Sequence, residues 1–152
     1  MGVLRVGICD DGSAICSEIE RIVKEYGKKH DLRLDTEIWS TGEALVDYLE
    51  DGNAIDLLFL DIDLITTSGV DIGQYIRHRL NNYSMKIVFI SANTTYAMSL
   101  FDIMPMNFLV KPLVKSKVEE CLDLAVMFLV KEEKVFQCKV AGKTHYIPFR
   151  SI

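Results

Sequence analysis

Four consecutive apolar residues, Leu57-Leu58-Phe59-Leu60, run directly into Asp61-Ile62-Asp63. A strand with one wet face alternates polar and apolar side chains. An unbroken apolar run indicates a strand buried on both faces, as in a parallel sheet covered by helices on either side. Such a strand delivers Asp61 to its carboxyl end, the edge where open α/β sheets place their sites. A carboxylate there gives up hydration and needs compensating partners.

The rest of the chain agrees with that architecture. Strands are expected at 5–9, 32–38, 85–90 and 107–110 in addition to 57–60. The alternating run 32–38 reads as a half-exposed strand at the sheet edge. Helices are expected between them. In 14–28, Ile15, Ile19, Ile22, Val23 and Tyr26 recur at helical spacing, with Asp11 or Ser13 as cap and Gly27 as terminator. Further helices are expected over 41–49, 70–80, 94–101 and 118–130. In 70–80, Val70, Ile72 or Gly73, Ile76 and Leu80 face inward, and Asn81-Asn82 closes the helix. Five strands alternating with five helices imply a parallel sheet wrapped on both faces by right-handed crossovers.

The tail follows another pattern. Residues 135–140 and 144–149 are two alternating runs around Ala141-Gly142-Lys143, a hairpin signature. A lone hairpin is marginal in water, so it reads as the opening of a second domain. The expected organisation is a first domain over 1–131, a linker over 132–134 and the start of a second domain over 135–152.

Composition removes several function classes. The net charge of −5 argues against this segment gripping nucleic acid by itself. The longest apolar run, 124–130, is too short to span a bilayer, and the first residues lack the pattern of a signal peptide. Cys9, Cys16, Cys121 and Cys138 form no CxxC pair and read as reduced thiols of a cytoplasmic protein. His30, His78 and His145 have no metal-ligand spacing.

Just past the expected strand ends stand Asp10-Asp11, Asp61, Ser91-Ala92 and Lys111. Taken singly, Asp-Gly is a turn, Ser a helix cap and Lys-Pro a turn. Together they bring three carboxylates, a hydroxyl and an ammonium to one edge. Carboxylates this close repel unless a cation sits between them. An all-oxygen donor set suits Mg²⁺, which also binds phosphate. A carboxylate beside such an ion can attack phosphorus, with Lys111 and Ser91 stabilising the phosphoryl oxygens.

This acidic pair, strand-end Asp, Ser with a small neighbour, and Lys-Pro resemble the signature of the receiver domain of two-component response regulators, over about residues 3–130. The resemblance implies a flavodoxin-like (βα)5 fold with strand order 2-1-3-4-5. It implies Asp61 as phosphoacceptor, fed by a phosphohistidine on a sensor histidine kinase, in a signalling domain that is not an enzyme in the usual sense. Asp10, Asp11 and Asp61 become Mg²⁺ ligands, joined by the backbone carbonyl of Asp63. Lys111 pairs with the phosphate and has a cis bond to Pro112. Ser91 and Phe108 become the switch residues. Two departures stand out. The loop Ile65-Thr66-Thr67-Ser68-Gly69 lacks the family's usual Pro and is expected to be more mobile, and Phe108 replaces a frequent Tyr.

Residues 135–152 resemble the start of a LytTR-type DNA-binding domain, so the chain reads as one cut short, with DNA contacted only by the missing part. Met98, Phe101, Ile103, Met104 and Met106, with the apolar run 124–130, suggest an exposed face. A homodimer is expected through the fourth helix, fifth strand and fifth helix. The alternative is a haloacid-dehalogenase-type Mg²⁺-dependent phosphatase with Asp61 as nucleophile. That motif, however, usually follows the first strand, and Ile65 stands where a Thr or Val is expected.

Overall fold

The computed structural model describes residues 2–93 and 100–140, with 132–140 described by backbone only. Five parallel strands, β1 (Leu4–Cys9), β2 (Leu34–Trp39), β3 (Leu57–Asp61), β4 (Lys86–Ser91) and β5 (Asn107–Val110), form one sheet in the order β2-β1-β3-β4-β5. The helices are α1 (Ser13–His30), α2 (Gly42–Glu50), α3 (Gly69–Gln74) and α4 (Lys115–Val140). This is the doubly wound sheet, strand order included, that the alternation and the resemblance imply.

The apolar run Leu57–Leu60 is buried throughout, and its side chains divide between two cores. Leu57 and Phe59 join Val6, Ile8, Ile19, Ile22, Val88 and Val118 on one face. Leu58 and Leu60 join Leu45, Ile72, Ile76, Ile87 and Phe89 on the other. Each such side chain contributes about 2 kcal/mol by leaving water. β2 lies at the sheet edge, as expected, and alternates half-buried with exposed positions over 34–37, but Ile38, expected to face inward, is exposed and Trp39 is the buried residue.

The register aligns the strand ends. Cys9 lies opposite Leu60, Asp61 opposite Ile90, and Ser91 opposite Val110. Asp10, Asp61, Ser91 and Lys111 therefore fall within a residue of one row. The chain leaves β1 toward β2 on one side and returns to β3 on the other, so the crevice where the winding reverses lies between Asp10 and Asp61.

Several boundaries differ from expectation. Neither Asp11 nor Ser13 caps α1; Gly12 is the cap residue, with no side-chain bond. Asp10 instead accepts the Gly12 N–H at 2.8 Å. Gly27 does not end α1, which continues to His30 and closes on Asp31 in the left-handed region (φ 52°). Close packing favours Gly27, since a Cβ there would meet the Leu32 carbonyl at a tight 3.1 Å. The expected helix 94–101 lies outside the described residues over 94–99, and residues 100–103 form a 3₁₀ turn. The last helix does not stop at 130. It continues to Val140, through the expected linker and the first arm of the expected hairpin, whose second arm lies outside the described residues. Lys131-Glu132-Glu133-Lys134 are good helix formers, so local propensity favours continuation.

α3 widens into a π-helical turn, Tyr75–Arg79. The wider turn carries Arg77, which is buried at 2% exposure. Its guanidinium meets no carboxylate among the described residues. It donates to four carbonyls: Ile103 and Met85 at 2.7 Å, Asn82 at 3.0 Å and Met104 at 3.2 Å. Burial lowers its pKa, but a guanidinium remains charged. Met104 holds a positive φ of 57°, a conformation that costs a side-chain-bearing residue about 1 kcal/mol. Arg77 thus pins the entry to β4 and the segment before β5 to one point. Arg77→Met keeps the stem and removes every donor. It should lower stability by about 2–4 kcal/mol, read as a lower urea midpoint with an unchanged slope. A loss below about 1 kcal/mol would mean that water satisfies these carbonyls.

Candidate phosphoryl-acceptor site

The site is built from four strand ends. Asp10 follows β1, and its side chain is 1% exposed. Asp11 beside it is exposed. Asp61 ends β3 and is 1% exposed, and Ser91 ends β4 and is fully buried. Lys111 follows β5, and its N–H donates to the Ser91 carbonyl at 2.9 Å. The Lys111–Pro112 bond is cis, as expected.

Oxygens of Asp10, Asp11 and Asp61 all lie within 4.8 Å of one another. Lys111 Nζ sits 3.1 Å from Asp10 Oδ2 and 3.5 Å from Asp61 Oδ1. The contact with Asp10 is an ion pair without hydrogen-bond alignment, so Oδ2 is buried with no hydrogen-bond donor. An unbonded buried carboxylate oxygen is costly and marks a position where a further cation fits. The donor set consists only of hard oxygens, suited to a small divalent ion. This acidic cluster could hold a metal.

Burial pushes the Asp61 carboxyl above its ordinary range. The Asp63 N–H, which donates to Asp61 Oδ1 at 3.1 Å, opposes the rise; the charge of Asp10 adds to it, and that of Lys111 offsets it. Burial alone would lower the Lys111 ammonium. Its pairing with Asp10, with the added charge of Asp61, outweighs that and holds it above the usual value. The charges of Lys111 and Asp61 therefore favour one another.

Cys9 and Cys16 lie directly beneath. Burial pushes the Cys9 thiol up to about 12, and the Cys16 thiol is raised for the same reason. Cys121, on the core-facing side of α4, is raised to about 11 by burial. All three are free and buried, as expected for inert core thiols, while the side chain of Cys138 lies outside the described residues.

Three features went unread in the sequence. First, the Ser91 hydroxyl is already engaged: it donates to Asp63 Oδ2 at 2.9 Å and accepts the Asn93 N–H at 3.0 Å. Second, the loop without Pro is anchored by other means. Thr66 donates to both Glu43 oxygens at 2.8 and 2.7 Å, and Thr67 adds a bond at 3.3 Å. Those bonds, Thr66 first, lower the Glu43 pKa, so its carboxylate is the form that holds the loop. Ser68 then caps α3 by accepting the Asp71 N–H at 3.1 Å. Third, Gly69 folds back under the acceptor strand, its N–H on the Ile62 carbonyl at 2.9 Å. A signal existed for the second feature in the run Thr-Thr-Ser, but its partner Glu43 lies on another helix.

Phe108, expected as the switch aromatic, is partly buried and packs against the core on the α2–α3 face of the sheet. Of the apolar residues expected on the output face, Phe101 is 84% exposed, whereas Ile103 is fully buried and belongs to that same core. Met98 lies outside the described residues.

The model of the response regulator receiver domain matches residues 6–123. The chain belongs to the response regulator receiver family. Among curated relatives, the receiver is 28% identical over 120 residues to the sensory transduction protein LytT of Bacillus subtilis (strain 168), covering 79% of this chain and 47% of that protein. It is 24% identical over 116 residues to the transcriptional regulatory protein LytR of Staphylococcus aureus (strain N315), covering 76% of this chain and 44% of that protein. The chain thus spans less than half the length of these relatives. Its fold resembles a CheY-like receiver domain protein from Methanospirillum hungatei JF-1, with a TM-score of 0.73 and 19% identity over 86% of this chain and 99% of that one. It also resembles the response regulatory domain of protein mrkE from Klebsiella pneumoniae, with a TM-score of 0.71 and 22% identity over 82% and 96% of the two chains. Nothing in the geometry favours the dehalogenase-type alternative: the strand that ends in Asp61 is the third of the chain, at the sheet centre.

In this receiver a Cβ at position 69 would lie 2.3 Å from the Asp61 carbonyl oxygen and 2.8 Å from Ile62 Cα. Both are backbone atoms that cannot swing aside. Gly69→Ala should therefore cost about 1–3 kcal/mol and displace the acceptor loop. Chemical denaturation measures the first effect, and shifted Asp61 and Ile62 amide resonances report the second. An unchanged midpoint and spectrum would show that the loop yields freely.

Proposed function

We propose that Asp61 accepts a phosphoryl group from a phosphohistidine of a sensor histidine kinase. An Asp61 oxygen forms a bond to phosphorus as the phosphorus–nitrogen bond breaks, and the imidazole leaves with the electron pair. The observation that carries this reading is the pairing of a buried Asp61 carboxylate with Lys111 at 3.5 Å, beside the unbonded Asp10 Oδ2. Asp10, Asp11 and Asp61, with the backbone carbonyl of Asp63, would hold Mg²⁺. When bound, that ion would neutralise charge on the phosphoryl oxygens. Lys111 leaves Asp10 to pair with the transferred group, and its ammonium offsets the added negative charge. Ser91 gives its proton to a phosphoryl oxygen, and the packing of Phe108 reports the change, since it lacks a hydroxyl.

The output follows from what surrounds that switch. The exposed Phe101, at 84%, and Met104, at 53%, flank β5, and Met127 and Phe128 are exposed on α4. We assign to this face a homodimer contact strengthened by phosphorylation. DNA binding and transcription regulation belong to a LytTR-type domain following the receiver, in keeping with the regulatory names of the matched relatives. The protein would work in the cytoplasm; no described helix is long and apolar enough to cross a membrane.

The test uses a small phosphodonor with and without Mg²⁺. Wild type should gain one phosphoryl group, dependent on Mg²⁺, and Asp61→Asn should gain none. Label on that variant, or none on wild type, would overturn the assignment. Phosphorylated and free samples then go to sedimentation equilibrium. The dimer should appear or tighten at least several-fold with phosphorylation, and a monomer in both samples at high concentration would remove it.

A further inference from the structure

We infer that the side chain of Asp63 is a latch on the switch hydroxyl, and that it sets the rate at which Asp61 is phosphorylated. This rests on the acceptor reading above and adds a residue to it. The juxtaposition is specific. Ser91 Oγ is fully buried at the end of β4 and carries a single proton. That proton is donated to Asp63 Oδ2 at 2.9 Å, while the oxygen accepts the Asn93 N–H at 3.0 Å. The hydroxyl thus faces the loop after β3 with its one donor in use. It cannot donate to a phosphoryl oxygen on Asp61 until the bond to Asp63 breaks.

Two features make the latch more than a passing contact. The acceptor belongs to a carboxyl group, so in its ionised form the bond is of the charge-assisted kind, stronger than a neutral one. The backbone N–H of the same residue donates to Asp61 Oδ1 at 3.1 Å. Asp63 therefore touches the acceptor carboxylate through its main chain and the switch hydroxyl through its side chain. A group arriving on Asp61 competes with the Asp63 carboxylate for Ser91. The negative charge of Asp63 also lies beside the incoming phosphoryl oxygens. Both effects slow the resting protein's reaction with a donor and favour the unswitched position of Ser91. Asp63 is a positioning residue here, since it acts through Ser91.

The two effects separate in a double-mutant cycle. The phosphodonor is acetyl phosphate with Mg²⁺: an Asp61 oxygen bonds to phosphorus, the bond from phosphorus to the acetyl oxygen breaks, and acetate leaves with the electron pair. Asp63→Ala should speed phosphorylation roughly tenfold, the scale of one charge-assisted hydrogen bond. Asp63→Asn, which keeps an acceptor but loses the charge, should fall between that variant and wild type. In a Ser91→Ala background the effect of Asp63→Ala should shrink to about twofold, the part due to charge alone. A second readout needs no phosphorylation: in the free protein, Asp63→Ala should shift the Ser91 and Asn93 amide resonances. Label on wild type with the same acceleration in both backgrounds would overturn the latch and leave the acceptor role intact. Still amide resonances in Asp63→Ala would overturn it as well. No label on wild type would bring down the acceptor role and, with it, the control of rate assigned to Asp63.

Discussion

The structure depends on an electrostatic crowding that it does not fully relieve at rest. Asp10 and Asp61 are both buried at the crevice where the sheet reverses its winding, and one partly exposed ammonium, Lys111, serves both. Two buried carboxylates sharing one cation are short of positive charge, and the hydrogen-bond vacancy on Asp10 Oδ2 is where the shortage shows. The rest of the sheet holds that arrangement rigid. β3 is buried along its whole length between two cores, so Asp61 cannot retreat into solvent. The site is thereby suited to a divalent cation and to a phosphoryl group, whose charge Lys111 is placed to meet.

Around this centre, polar contacts divide the receiver into parts that are fixed and parts that can move. Glu43 hydrogen-bonds the Pro-less loop after Asp61 to the start of α2. Arg77 fixes the segment before β5 from below, through carbonyls and not through a charged partner. Between these anchors lies the Ser91 hydroxyl, bound to the exposed Asp63 carboxylate. The switch proposed for Ser91 needs one bond that is easily exchanged within a frame that resists drift. The contrast between buried Ile103, inside that frame, and exposed Phe101, just outside it, marks its boundary on the output face.

Much of this was legible in one dimension. Backbone pairing and burial impose a two-residue period on β2 and an unbroken apolar run on β3, and a helix period on α1, so the order of elements could be read directly. The candidate site residues were legible because each stands at the end of a strand, a position the pattern locates to within a residue or two. The contacts made by side chains far apart in sequence were not. Glu43 with Thr66, Ser91 with Asp63 and Arg77 with Ile103 join different elements, and no local spacing announces them. The reading of residues 131–140 failed for a related reason. Alternation at 135–140 suggested a strand, but it is a weak local cue beside the helix-forming run 131–134, and the backbone there continues the helix of α4.

The sequence by itself determined the sheet, its helical cover and the set of residues delivered to one edge, because hydrophobic period and strand-end position are local properties. Only the tertiary structure decided how those residues share charge and protons. It showed that Lys111 is paired with both Asp10 and Asp61, and that Gly69 is demanded by backbone passing under Asp61. It also assigned the side chain of Asp63 to Ser91 while its N–H bonds Asp61. Distances of about 3 Å between groups many residues apart are set by packing, and packing is a property of the whole chain.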